Sequence, residues 1–271
     1  MSLVRRSQRV SFPSGWGSTL TGIVDQPHDE PKAFVVFTHC FTCTKDLKLI
    51  VRISRGLAEL GYGVLRYDST GLGGSSGDFS KSNFSSNQTD LLAAVQFMSE
   101  HYRAPEALIG HSFGGAASLS IAAQVPSVRA VVSIAAPSDT LHLASLLDRM
   151  NPSIMSAGHG SVSIGGTPHT INRQMLENFR AFDLSSHVRQ LSVPVLLFHS
   201  PEDETLGFQH AQRLYQLLTD RRTEEPPACA ASLICLPGAD HLLLNHAADL
   251  ILVTRMIAAW LDRYVGNLAS R

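Results

Sequence analysis

Five residues near the middle of the chain read Gly110-His111-Ser112-Phe113-Gly114, which is a G-x-S-x-G pattern. The apolar run 107–109 before them is typical of a buried strand, and the small residues that follow, from 115 to 124, are typical of a helix. A serine on a tight turn between a strand and a helix has the backbone context of a nucleophile elbow. The pattern therefore predicts that Ser112 is a catalytic nucleophile. The alternative is a glycine-rich turn that only caps a helix.

Length and composition narrow the class of protein. The chain has 271 residues, of which 44% are hydrophobic and 17% charged, as is typical of a globular enzyme with one large domain. Its 22 basic and 23 acidic residues give a net charge of −1, without the basic stripe that nucleic-acid binding requires. No apolar run is long enough to predict a membrane span. The 4 cysteines do not resemble a disulfide framework, so we expect a reducing, cytoplasmic location.

Apolar runs alternate with helical patterns along most of the chain. The run 33–38 is apolar on consecutive positions, which indicates a strand covered on both faces. This alternation predicts an α/β fold with a mostly parallel central sheet flanked by helices. No helix separates strands 20–25 and 33–38, so we expect the sheet to start antiparallel. The other predicted strands are 63–67, 107–109, 130–134, 193–198 and 232–236, and the predicted helices are 48–60, 88–101, 114–124, 208–218 and 247–264.

The stretch 137–191 interrupts the alternation of strand and helix patterns. It predicts a helix over 139–150, a hairpin over 161–171 around Gly165-Gly166, and a second helix over 172–182. We therefore expect a core domain formed by 1–136 and 192–271, with 137–191 inserted as a small cap over the active site. A surface excursion without substrate contact is the alternative.

A serine nucleophile needs a base, and the base needs an acid that holds its tautomer. The predicted strand 193–198 is followed by a loop that contains Asp203, and ligand-facing groups collect in such loops. Asp203 is the predicted acid. Glu202 and Glu204 are close rivals in the same loop, and Asp139 is a distant one.

The predicted base is His241, which lies in the loop between the predicted strand 232–236 and the last helix. Its order in the chain, after the serine and the acid, supports this choice among 12 histidines. His246 falls at the start of the last helix and is expected to face elsewhere.

Acyl transfer also needs two donors for the oxyanion. The backbone N–H groups of Phe113 and Phe41 are the candidates, because one follows the nucleophile and the other lies in the loop after strand 33–38.

Five motifs are spaced along most of the chain, over about residues 8 to 265. They are His39-Cys40-Phe41-Thr42, Arg66-Tyr67-Asp68-Ser69-Thr70-Gly71-Leu72-Gly73, Gly110-His111-Ser112-Phe113-Gly114-Gly115, His199-Ser200-Pro201-Glu202-Asp203-Glu204-Thr205 and Asp240-His241. Together these motifs resemble the α/β-hydrolase superfamily. The loop from His39 to Asp46 and the stretch 83–87 resemble, more narrowly, the hydrolase half of proteins that fuse an esterase-like domain to an OsmC-like peroxide reductase.

The resemblance implies a serine hydrolase, most simply a carboxylesterase that acts on a small-molecule ester through Ser112, Asp203 and His241. It implies no metal and no organic cofactor, and the fused relatives suggest a functional link to an OsmC-like reductase. An amide, peptide or carbon–carbon bond could be cleaved by the same triad. A redox-partner or other binding module that uses the fold without catalysis is a further alternative.

The residues that would contact substrate are less constrained by the sequence. We predict contacts from the oxyanion loop, from the residue before the nucleophile and from apolar cap side chains. Cys40 replaces the glycine that most of the superfamily has after the first histidine of this loop. With Cys43 it forms a C-x-x-C, for which loop shaping, thiol redox regulation and metal binding are the alternatives. The predicted substrate contacts are His39, Cys40, His111, Leu143, Leu147 and Met175.

Overall fold

The computed structural model describes residues 6–220 and 229–265, so both outer ends of the predicted core domain and the stretch 221–228 lie outside the described residues. The described chain forms one eight-stranded sheet and one two-stranded hairpin. The sheet strands are β1 (Arg6–Pro13), β2 (Thr19–Gln26), β3 (Phe34–Thr38), β4 (Gly63–Tyr67), β5 (Ala107–His111), β6 (Ala130–Ile134), β9 (Val195–His199) and β10 (Ala231–Cys235), and the hairpin strands are β7 (His159–Ile164) and β8 (Thr167–Asn172).

The strand order of the large sheet is β1-β2-β4-β3-β5-β6-β9-β10. Strand β2 pairs antiparallel with both β1 and β4, and every other pair in the sheet is parallel. The antiparallel start is therefore formed by β1 and β2, whereas β3 is a parallel central strand. Strand β1 was not predicted from the sequence, because its residues are mostly polar and exposed and form no apolar run.

Helices cover both faces of the sheet, as the apolar strands predict. On β3, Val35 and Phe37 face one apolar core while Phe34 and Val36 face the other. The first core is completed by α1 (Lys48–Glu59) and α9 (Ala247–Tyr264), which contact each other. The second is completed by α2 (Phe84–His101), α3 (Phe113–Ile121) and α8 (Gln209–Thr219).

Helix α2 begins earlier than the sequence pattern predicted. Asn83 and Ser86 form a reciprocal capping box at its N-terminus, so the helix starts at Phe84 rather than near residue 88. Phe84 is fully buried. The sequence analysis did not recognise the Asn-x-x-Ser pair as a helix start.

The predicted helix, hairpin and helix of the stretch 137–191 are present. Gly165 and Gly166 both have positive φ in the hairpin turn, a conformation that glycine adopts without strain. The helices of this stretch are α4 (Leu141–Met150), α5 (Ser153–Ala157), α6 (Arg173–Ala181) and α7 (Leu184–Arg189). The short helices α5 and α7 add to the prediction, and α7 packs against α3 and α8. Within residues 6–220 and 229–265, no helix has both the length and the apolar character of a membrane span.

Candidate active site

Ser112 lies on the turn between β5 and α3, with φ 53° and ψ −120°. A non-glycine residue with positive φ is strained, and such strain persists only where the surroundings hold it. Neighbouring glycines make the turn possible. A Cβ on Gly110 would lie 2.1 Å from the carbonyl oxygen of Gly114, and a Cβ on Gly114 would lie 2.3 Å from the carbonyl oxygen of Thr38. The sharp strand-to-helix turn predicted from the sequence is therefore present.

A cavity of about 890 Å³ is shared by two of the three predicted triad residues and by the predicted oxyanion donors. Ser112, Phe113 and His241 line it, as do Cys40 and Phe41 of the loop after β3. The hydroxyl of Ser112 has no hydrogen-bond partner in the described part of the chain, so it is available to His241 or to a substrate. Hydrogen bonds at a reacting centre often tighten only when substrate binds.

The imidazole of His241 is held by Asp203. Nδ1–H of His241 donates to Oδ2 of Asp203 over 2.7 Å. The other carboxylate oxygen, Oδ1, accepts the N–H groups of Thr205 and Leu206, each over 2.9 Å. Burial raises the pKa of Asp203, but the hydrogen bond and charge of His241 and the two backbone donors outweigh it, and the pKa falls below the ordinary 3.8. The carboxylate is therefore ionised at neutral pH.

The rival acids make other contacts. Glu202 accepts a hydrogen bond from the N–H of Gly238 over 2.9 Å, and Glu204 is exposed. Asp139 accepts the N–H of His142 over 2.9 Å at the start of α4. Of the carboxylates considered from the sequence, Asp203 alone bonds to His241 within the described residues.

Two backbone N–H groups on the cavity wall are free to receive an oxyanion. Those of Phe41 and Phe113 donate no hydrogen bond anywhere in residues 6–220 and 229–265. Phe113 is the first residue of α3, where N–H groups have no partner within the helix and where the helix dipole favours negative charge.

The loop that carries Phe41 is closed at both ends. Cys40 and Cys43 form a disulfide around Phe41 and Thr42. The crosslink shapes the loop in this structure, and thiol redox regulation of the same pair stays a prediction. After it, Asp68 accepts the N–H of Lys45 over 2.7 Å and its ammonium group over 2.6 Å. These bonds fix the loop against the turn after β4.

Three buried histidines each bond to a backbone carbonyl in a loop of the site. His39 donates from Nδ1 to Cys40 over 2.7 Å, His111 from Nε2 to His241 over 2.8 Å, and His199 from Nε2 to Leu206 over 2.7 Å. Burial is the main cause that lowers the pKa of each. For His111, the pKa falls to about 3, with the nearby charge of His241 as the second cause. All three are neutral donors near pH 7.

Four of the predicted substrate contacts do not line the cavity. His39 and His111 are buried and bonded to backbone, and Leu147 and Met175 are fully buried in the apolar core. Their contact with substrate stays a prediction, and His39 lines a smaller pocket together with Phe41 and Phe113. For Leu147 and Met175, helical periodicity identifies a buried face but does not say whether it faces a cavity or a packed core. The other two, Cys40 and Leu143, do line it.

Several lining residues were absent from the predicted contacts. Leu146 and Met150 recur with the predicted Leu143 at the spacing of one face of α4, a signal that the sequence contained. Thr205, Leu206 and Leu242 come from loops that hold the acid and the base, and no sequence pattern marked them. Pro137, Thr140, His142, Ile164 and His169 are among the other lining residues.

The wall of the cavity is largely apolar. None of its lining residues in the described part of the chain is Asp, Glu, Lys or Arg. Those described ranges also contain no cluster of three or more His, Cys, Asp or Glu side chains suited to a metal ion. The arrangement places a serine hydroxyl, an imidazole bonded to a carboxylate and two backbone N–H groups around a site of low polarity.

Comparison with known proteins relates this geometry to a family. A family model described as serine aminopeptidase, S33, matches residues 29–156. The esterase domain of a Rhodothermus marinus protein is 39% identical to this chain with a TM-score of 0.75, and the match covers 96% of this chain and 100% of that one. No curated protein matches the chain.

More distant structures share the fold. Est1E from Butyrivibrio proteoclasticus, solved with ferulic acid bound, is 20% identical with a TM-score of 0.79, covering 94% of this chain and 99% of that one. The Pyrococcus furiosus esterase Pf2001 is 15% identical with a TM-score of 0.70, covering 96% of this chain and 92% of that one. The Ser112 turn, the mostly parallel sheet and the 39% identical esterase domain lead to one conclusion: the chain belongs to the α/β-hydrolase superfamily.

Proposed function

We propose that this protein hydrolyses carboxylic esters through an acyl-enzyme on Ser112, with His241 as base and Asp203 as the acid that orients it. The observation that carries the proposal is the 2.7 Å bond from His241 Nδ1–H to Asp203, behind a cavity that His241 shares with Ser112. This bond leaves Nε2 of His241 without its hydrogen and therefore able to take the proton of Ser112.

The reaction proceeds in two halves. Ser112 Oγ attacks the ester carbonyl carbon while His241 Nε2 accepts the hydroxyl proton, and the N–H groups of Phe41 and Phe113 stabilise the oxyanion. The carbon–oxygen bond to the alcohol then breaks, and His241 returns the proton to the leaving alkoxide. In the second half, a water molecule gives its proton to His241 and attacks the acyl-enzyme, which releases the acid and restores Ser112. Asp203 stabilises the imidazolium formed in both halves.

The cavity favours an uncharged ester over the N-terminus of a peptide. An aminopeptidase must hold the free ammonium group of its substrate, and a buried cation needs a carboxylate partner. The described cavity wall contains no Asp or Glu, and much of it is apolar, with Leu143, Leu146, Met150 and Ile164 on one side. These side chains come from the stretch 137–191, which we propose is a cap that selects the acyl group.

Hydrolysis of p-nitrophenyl esters tests the proposal. Wild-type protein should hydrolyse the acetate, butyrate and octanoate, and Ser112→Ala should lower kcat by at least about 10³-fold. Ser163→Ala is the matched control, because Ser163 also lines the cavity, and its kcat should stay within a few-fold of wild type. Amino-acid p-nitroanilides should be poor substrates. Retention of most activity by Ser112→Ala would exclude the proposed nucleophile.

The alternative of a redox-partner module retains one supporting observation, the Cys40–Cys43 disulfide beside the cavity. A cytoplasmic location and a link to an OsmC-like reductase remain predictions, and in a reducing compartment this disulfide would be open to reduction. The ester assay separates the two functions, because a binding module would show no hydrolysis that depends on Ser112.

A further inference from the structure

Two of the buried histidines occupy equivalent places in the sheet. His111 is the last residue of β5 and His199 is the last residue of β9. Both side chains are almost completely inaccessible, with exposed fractions of 0% and 1%. Neither is a member of the triad, and neither lines the cavity. A buried imidazole costs desolvation energy that an apolar side chain would avoid, and the hydrogen bonds that it makes offset this cost.

His111 holds the backbone of the candidate base. Its Nε2–H donates to the carbonyl oxygen of His241 over 2.8 Å, and the two rings lie 5.0 Å apart. The ring of His241 is held separately, by its own bond to Asp203. The base is thus fixed both at its peptide and at its imidazole, which limits how far Nε2 of His241 can move from Ser112.

His199 holds the turn that carries the acid. Its Nε2–H donates to the carbonyl oxygen of Leu206 over 2.7 Å, and the N–H of the same Leu206 donates to Oδ1 of Asp203 over 2.9 Å. Nε2 of His199 also lies 3.6 Å from Oδ2 of Asp203. Leu206 therefore connects His199 to the carboxylate that orients the base.

The two histidines share one protonation pattern. Each donates from Nε2 to a carbonyl oxygen, which can only accept, while each Nδ1 is buried without a partner in the described residues. Burial lowers the pKa of both, and the charge of His241 acts in the same direction. They can therefore serve as fixed neutral donors without taking part in the proton transfer.

We propose that His111 and His199 are positioning residues: they hold the loops of the base and of the acid so that His241 stays aligned with Ser112. The inference rests on the proposed function of the triad. A displacement of a reacting group by about 1 Å can cost about 10²-fold in rate. We expect the loss of either donated hydrogen bond to lower kcat by about 10- to 100-fold, with KM changed by less than about threefold.

Paired substitutions separate the hydrogen bond from the volume of the ring. His111→Phe and His199→Phe keep an aromatic ring but remove the donor. His111→Gln and His199→Gln return an N–H donor at a similar distance from the backbone, and should recover kcat to within a few-fold of wild type. His101→Phe is the matched control, because His101 also bonds to a backbone carbonyl, that of Phe97, but on α2 away from the site. All rates are compared per folded molecule.

A second readout needs no substrate. The hydrogen-bonded Nδ1 proton of His241 gives a downfield proton NMR resonance, which the two Gln variants should keep and the two Phe variants should broaden or lose. Unchanged kcat and an unchanged resonance in folded His111→Phe and His199→Phe would overturn the inference, as would Gln variants as impaired as the Phe variants. If wild type shows no ester hydrolysis but the resonance follows this pattern, the proposed function fails while the positioning role stands.

Discussion

Strained backbone conformations occur in the loops that carry the candidate site residues. Four non-glycine residues in the described ranges have positive φ: Thr42, Ser112, Ala135 and Leu243. Each lies in a loop that follows a strand of the sheet, and three of them belong to the loops of Phe41, Ser112 and His241. Such conformations cost about 1–3 kcal/mol each and persist where packing and hydrogen bonds hold them. In Ser112, the strain accompanies a hydroxyl that has no hydrogen-bond partner among residues 6–220 and 229–265.

Asp203→Asn tests the acid. The amide can donate to Nδ1 of His241 instead of accepting from it, so the imidazole would carry its hydrogen on Nε2, the wrong nitrogen for a base. We expect kcat for a p-nitrophenyl ester to fall by about 10³-fold or more, with the protein still folded. Glu204→Gln is the control, since Glu204 is an exposed neighbour in the same loop. Equal effects of the two variants would show that Asp203 has no special role.

For single residues, chain order was the strongest signal in the sequence. Ser112, Asp203 and His241 follow one another on loops after parallel strands, and the structure brings them to one edge of the sheet. The sequence constrained contacts poorly where only burial could be inferred: Leu147 and Met175 are apolar and helical, yet both pack in the core. Apolar periodicity shows that a side chain is buried, but not whether it packs against the core or lines a cavity. A substrate contact depends on that difference.

At the scale of elements, the loop after β3 depends on a crosslink. The Cys40–Cys43 disulfide encloses Phe41, the candidate oxyanion donor. Closing so short a loop lowers the entropy of the unfolded chain by an amount worth about 2 kcal/mol. Cys43→Ser should therefore lower the free energy of unfolding by about that amount in urea titrations. It should also lower kcat, with a smaller change in KM, because the N–H group of Phe41 is held less firmly.

Cys235→Ser provides the comparison for this prediction. Cys235 is an exposed free thiol on β10, so its replacement should change neither the unfolding midpoint nor kcat. Treating wild type with a dithiol reductant should reproduce the Cys43→Ser result. Wild-type stability and rate in both Cys43→Ser and the reduced protein would refute the role assigned to the crosslink.

Helix α4 supplies one apolar wall of the cavity and tests the proposed cap. Leu146 lines the cavity, whereas Leu141 on the same helix is exposed. Leu146→Trp should fill space that a long acyl chain would occupy, and should lower kcat/KM for p-nitrophenyl octanoate at least about tenfold while the acetate is nearly unaffected. Leu141→Trp should leave the ratio of the two substrates unchanged. Parallel losses for both esters in Leu146→Trp would argue against an acyl pocket there.

Elements were predictable from the sequence where apolar periodicity is strong. The central strands are apolar on both faces and α1 has a clear buried side, so both were identified. Strand β1 escaped because a polar edge strand carries no such pattern, and α2 was started late because its Asn83–Ser86 capping box was not recognised. Edge pairing and capping depend on backbone hydrogen bonds, which hydropathy does not record.

For the whole molecule, the parallel order of the sheet explains why distant loops meet. Strands β3, β5 and β6 are neighbours, and β9 and β10 follow them on the same side. The carboxyl ends of parallel strands share one edge, so the loops that carry Phe41, Ser112, Asp203 and His241 converge there. Strand and helix alternation was sufficient to predict this convergence, but not the shape or the lining of the cavity.

The lowered pKa values of the buried histidines predict how the stability of the protein depends on pH. His39, His111 and His199 have lowered pKa values, so below about 6.5 the unfolded chain binds protons that the folded chain does not, and stability falls as pH falls. For His111 the loss is about 2 kcal/mol by pH 5. Burial raises the pKa of Asp90 to about 6, which works in the opposite direction, because its stabilising effect is lost as pH rises through that value. Asp203, with a lowered pKa, loses its contribution only at more acidic pH.

Urea unfolding at pH 7.5 and pH 5.0 measures this dependence. Wild type should be less stable at pH 5.0, and His111→Gln should reduce the difference by about 2 kcal/mol because the amide does not titrate. Equal pH dependence in wild type and His111→Gln would show that His111 does not carry the effect.

The central claim is that Ser112 is an activated nucleophile, and covalent labelling tests it most directly. A fluorophosphonate reacts with a serine that an adjacent base activates, and the adduct can be located by mass spectrometry of peptides. We predict one adduct per molecule, on the peptide that contains Ser112, with no labelling of Ser112→Ala and strongly slowed labelling of His241→Ala. Absence of an adduct on folded wild-type protein, or an adduct that persists in Ser112→Ala, would contradict the account.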